Sequence, residues 1–158
     1  YGLSPVAYSL CFGANAVAVM LGSLTVSFFR SATQAMRVGV VGFGLISLLV
    51  ASVLISGAPV MIVEGCLFVF MIFLGLILPS STMLALDLER ANSGNASAVL
   101  GFLMFLFGGV LSPLTGLGDM LQTTSLIMVL CCAAALGCTL LTTTRFSRGI
   151  LRGHATKA

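Results

Sequence analysis

Charge is almost absent from long stretches of this sequence, and that constrains its fold more than any motif does. Charged residues divide it into neutral runs at 1–29, 38–63, 65–86, 91–118 and 120–144, the shortest 22 residues long. A bilayer core about 30 Å thick needs about 20 apolar residues at 1.5 Å each, so every run is long enough for one spanning helix. Each run is too long for a barrel strand of about 10 residues, and unpaired backbone groups are too costly in hydrocarbon. The sequence therefore predicts an all-α membrane protein with five transmembrane helices. The spans are placed near Val6–Phe29, Val38–Ile55, Val60–Thr82, Ala96–Leu117 and Leu121–Thr144. A water-soluble fold is excluded, because only 7% of the residues are charged, against roughly 25% in an average soluble domain.

Orientation follows from the basic residues. Arg30 and Arg37 lie between the first two spans, Arg90 between the third and fourth, and Arg145, Arg148, Arg152 and Lys157 after the fifth. The opposite connections, Ser56–Pro59 and Gly118–Met120, carry no Lys or Arg, nor does Tyr1–Pro5. By the positive-inside rule the amino end is expected outside and the carboxy end in the cytoplasm. Residues 1–144 then form the membrane bundle, and 145–158 a basic cytoplasmic tail. The net charge of +3 sits at span ends, where anionic headgroups and membrane insertion account for it, so no nucleic-acid partner is implied. The first run has no basic stretch before it and does not read as a signal peptide.

The polar inventory argues against catalysis and against a metal or other cofactor. His154, the single histidine, lies in the tail, leaving no His pair for haem, no zinc motif and no Ser-His couple within a span. Asp87 and Asp119 belong to connections on opposite sides of the membrane, so they form no carboxylate dyad. Cys11, Cys66, Cys131, Cys132 and Cys138 all fall in spans and read as small packing residues.

Glu64 is the one ionisable residue inside a predicted span, which makes it a functional candidate by default. It lies five positions after Pro59, roughly 7 Å along its helix, shallow enough to snorkel to the interface. Asn15, near the middle of the first span, needs a partner. An interhelical hydrogen bond and a cavity-lining contact are both open to it. In the fourth span Ser97, Gly101, Gly108 and Ser112 share one face and predict a close helix-packing seam. Phe102 falls off that row and can face lipid or a cavity. Pro79 and Pro113 are expected to bend the third and fourth spans. Asn95, within a glycosylation-like triplet, is read instead as a helix N-cap.

Several strings together resemble one family. They are Tyr1-Gly-Leu-Ser-Pro, Phe12-Gly-Ala-Asn-Ala, Leu21-Gly-Ser, Leu74-Gly-Leu-Ile-Leu-Pro-Ser and Asn95-Ala-Ser-Ala-Val-Leu-Gly-Phe. Their order and separation are similar to the carboxy-terminal half of the bicyclomycin-resistance (Bcr/CflA) type of drug:proton antiporter in the major facilitator superfamily. Met104 stands where that family often has Gln.

The resemblance implies helices eight to twelve of a twelve-helix bundle, with an amino-terminal half of roughly 200 residues before Tyr1. It also implies proton-driven export of small hydrophobic or amphipathic drug-like compounds across the bacterial inner membrane. Substrate would bind between two halves that rock in alternating access. Asn15, Phe102 and Glu64 are then the substrate-cavity candidates. A non-transport integral membrane subunit and a different major facilitator porter are the alternatives.

Overall fold

The computed structural model describes residues 2–116 and 118–155, with side chains through Leu141. The expectations attached to Tyr1 and to Leu117 lie outside the described residues, as do the side chains of the tail 145–158, while the backbone of α5 runs past the predicted span end at Thr144 and on through Ala155. The helices are α1 (Pro5–Thr25), α2 (Ala32–Ile55), α3 (Val60–Leu88), α4 (Ser93–Leu114) and α5 (Met120–Ala155). Single 3-10 turns at Val26–Phe28 and Arg90–Asn92 follow α1 and precede α4. All five helices are long and apolar enough to cross a membrane. The described residues contain no strand, and the fold is all-α.

Short polar side chains set the helix starts. The Ser4 hydroxyl accepts from the Ala7 N–H at 3.2 Å, with Pro5 in the first helical position. Ser31 accepts from the Gln34 N–H at 3.2 Å, and Asp119 Oδ1 from Leu121 and Gln122 at 3.0 and 3.2 Å. Ser31 starts α2 at Ala32, six residues ahead of the predicted Val38, so Arg37 is on the helix and not in a loop. Likewise α3 continues past Thr82 and through Asp87. A helix bonds its own backbone whatever its side chains are, so a charge marks where apolar sequence stops and not where the helix ends. Asn92 precedes α4, which puts Asn95 inside the first turn instead of at the cap. At the other end α4 stops at Leu114, one residue beyond Pro113, so this proline closes the helix and leaves no following segment to bend.

The helices pack unequally. α3 lies between α1 and α2, and α5 packs along the remaining side of α2. α2, α3 and α5 share an apolar core of Val50, Leu54, Val63, Phe70 and Cys132, with Phe43 stacked on Phe70 at a ring-centroid distance of 4.2 Å. Glycines let these helices meet. A Cβ on Gly42 would run into the Phe73 ring, and one on Gly44 would fall 2.8 Å from Leu136 Cδ1. The short α2–α3 connection turns at Gly57, whose φ of +65° is a left-handed conformation suited to glycine. Of the cysteines, Cys132 and Cys66 join the core as expected, whereas Cys131 and Cys138 turn outward.

The predicted packing seam on α4 has no counterpart in the described residues. A Cβ added to Gly101 or Gly108 meets nothing within 4 Å, Ser97 and Ser112 are exposed, and α4 buries none of its residues. Small residues allow close approach but do not supply a partner. Within this chain the close approach is made by α1 and α3.

Candidate functional site

α1 and α3 run side by side in the same direction. Their polar contacts join residues 49 positions apart at Asn15–Glu64 and 52 apart at Ser23–Gly75, so both helices advance together. Two glycines bring the backbones into contact. A Cβ on Gly22 would collide with the Ile72 carbonyl, and one on Gly75 with the Val19 carbonyl. Neither obstacle is a flexible side chain, so neither position accepts a larger residue without moving a helix.

Pro79 contributes to the same seam. A helical proline has no N–H to donate to the carbonyl four residues earlier, which here belongs to Gly75. That carbonyl instead accepts from the Ser23 hydroxyl of α1 at 3.1 Å, and the same hydroxyl lies 3.0 Å from its own Val19 carbonyl. The proline thus frees an acceptor, the absence of a side chain on Gly75 exposes it, and Ser23 supplies the donor.

Above this clasp lies the polar pair. Asn15 Nδ2 donates to Glu64 Oε1 at 2.9 Å, with both residues half-buried. The carboxylate is therefore turned against α1. Asn15 lies ten residues into α1, about 15 Å from its start, so Glu64 is opposite the middle of its neighbour. Asn15 Oδ1 is buried and has no hydrogen-bond partner. Among the described residues, Glu64 has no ion-pair partner; the one salt bridge, Asp87–Arg90 at 2.9 Å, is exposed near the end of α3.

The candidate residues are thus only partly brought together. Asn15 and Glu64 form one site, while Phe102 lies on α4, 64% exposed, and takes no part in it. Ser23, Gly22 and Gly75 stand out in the sequence neither by polar character nor through the small-residue row. Two signals do point to them: Gly75 precedes Pro79 by the four residues of a helical hydrogen bond, and Gly22-Ser23 pairs a small residue with a donor. The described residues hold no cluster of His, Cys, Asp and Glu able to bind a metal ion.

The fold and this interior polar pair define a multi-span, all-helical integral membrane protein. Its sequence is similar to YdgK of Bacillus subtilis (strain 168), described as an uncharacterized MFS-type transporter. The two are 30% identical over 122 residues, covering 75% of this chain and 30% of that protein. The likeness supports the major facilitator superfamily and does not extend to the Bcr/CflA type. The chain spans about 30% of the length of the curated relative it matches. No family profile matches the chain, and no solved structure matches it.

Proposed function

We propose that this chain is part of a secondary active transporter that exports small hydrophobic or amphipathic drug-like compounds in exchange for protons, as Bcr/CflA-type antiporters do. The observation that carries the reading is the Asn15–Glu64 pair, a carboxylate held between two apolar helices where a transporter needs polar groups. The relative's description as an MFS-type transporter supports transport over catalysis. In this reading the chain lies in a bacterial inner membrane with its amino end outside, and it forms one side of a midplane cavity. Further helices of the same transporter form the other side. Asn15 and Phe102 contact the substrate, and the α1–α3 clasp keeps Asn15 in place.

The test is export by cells expressing the protein, compared across a panel of amphipathic compounds. Asn15→Ala and Phe102→Ala should each change which compounds are exported by several-fold while membrane abundance stays within a factor of two. Unchanged profiles for both variants would remove these residues from the cavity. Absence of any gradient-dependent export would overturn the reading in favour of a non-transport membrane subunit.

A further inference from the structure

The hydrogen bonding of the Asn15–Glu64 pair is incomplete in one specific way. An amide offers two donor hydrogens and one acceptor oxygen, whereas an ionised carboxylate can only accept. Asn15 Nδ2 donates to Glu64 Oε1, but Asn15 Oδ1 is buried with no donor. An ionised Glu64 has no hydrogen to give it. A neutral Glu64 has one, on its other oxygen, and an acid and an amide placed edge to edge exchange two hydrogen bonds. A proton on Glu64 therefore supplies the kind of donor that Asn15 Oδ1 lacks.

Other groups around Glu64 do not provide that hydrogen as a counter-charge would. α1 bears no charged side chain, and its titratable groups are Tyr8 and Cys11. α2 carries Arg37, near the end of the helix remote from Glu64, and α4 carries no titratable group. On α3 itself Cys66 is two residues away and Asp87 is at the opposite end.

We infer that Asn15 and Glu64 form a proton-binding site between α1 and α3, with Glu64 carrying the proton and Asn15 Oδ1 receiving its hydrogen bond. On loading, a proton from water adds to one carboxylate oxygen and the site's charge goes from −1 to 0. On release, the O–H bond breaks, the proton returns to water and the carboxylate keeps the bond from Nδ2. Nothing is oxidised or reduced. The inference deepens the proposed proton-driven transport and rests on it only for the use made of the proton.

Infrared difference spectra of the protein in lipid vesicles, taken between acidic and alkaline pH, test the site directly. We expect a carboxylic-acid carbonyl band that disappears in Glu64→Gln and moves to higher wavenumber in Asn15→Leu, where its hydrogen bonds are lost. A band at the same wavenumber with and without Asn15, or no band assignable to Glu64, overturns the inference. Solid-state NMR of the labelled, unmutated protein covers the case in which a variant does not fold. There the Glu64 carboxyl carbon should stay dipolar-coupled to the Asn15 side-chain nitrogen in both protonation states, and loss of that coupling on protonation overturns it. If these signatures hold while export is absent, the proton site stands and the transporter reading falls. Export with none of the signatures removes the site alone.

Discussion

The seam between α1 and α3 and the outer face of α4 are built from similar residues and behave differently. Both present small residues at a helix surface, Gly22 on α1 and Gly75 on α3 in the first case, Ser97, Gly101, Gly108 and Ser112 along α4 in the second. Both also include a helical proline. In the seam every concession is answered: the missing Cβ atoms admit backbone, and the carbonyl freed by Pro79 meets the Ser23 hydroxyl. On α4 the glycines face open space and Pro113 stands at the helix end. Smallness permits contact, but an unsatisfied backbone group with a donor opposite it selects the partner. In lipid, where apolar surface alone gives helices little reason to associate, that selection matters most.

The largest effect that separates the two regions should come from adding bulk. Gly75→Leu drives a side chain into the Val19 carbonyl and should cost about 3 kcal/mol or more, since the obstacle is backbone and cannot rotate away. Gly22→Leu should behave alike against Ile72. Gly101→Leu and Gly108→Leu, with nothing to strike in this chain, should stay within about 0.5 kcal/mol. Reversible unfolding in mixed micelles measures all four. Equal losses on α4 and in the seam would break the comparison.

A second, smaller contrast concerns the polar pair. Glu64→Leu leaves the whole Asn15 amide without a partner and should cost about 1–3 kcal/mol. Glu64→Gln keeps an acceptor for Nδ2 and adds a donor for Oδ1, so the same unfolding measurement should find it no less stable than the parent. A loss in Glu64→Gln as large as in Glu64→Leu would mean that charge, and not hydrogen bonding, holds the pair.

What the sequence made legible follows the same division. Spans could be counted because the apolar runs are separated by charges, but helix ends at Ala32 and Leu88 could not, because helix continues into polar sequence. Counting from Pro59 positions Glu64 along its own helix only. Register against α1 places it opposite Asn15, and register depends on contacts between residues 49 apart, which no local pattern encodes. The strings Leu21-Gly-Ser and Leu74-Gly-Leu-Ile-Leu-Pro-Ser, which carried the family resemblance, contain the residues that meet in the clasp: Gly22, Ser23, Gly75 and Pro79. Their identity was readable, but their contact was not, since it joins a hydroxyl on one helix to a carbonyl released on another.

That contact gives the smallest and most specific test. Ser23→Ala removes the donor to Gly75 and should cost about 0.6–2 kcal/mol, the range for interhelical hydrogen bonds in membranes. Pro79→Ala restores an N–H that can bond the same carbonyl within α3. In the Pro79→Ala background the Ser23 hydroxyl is then redundant, and Ser23→Ala should cost only a few tenths of a kcal/mol. The double-mutant cycle therefore predicts a coupling close to the whole single-mutant effect. Simple additivity would mean that Ser23 acts through its other acceptor, the Val19 carbonyl of its own helix, and that the proline and the hydroxyl are neighbours without being partners. Coupling of the expected size would show that α1 recognises α3 by the one backbone acceptor that Pro79 leaves open, a device that the face of α4 does not possess.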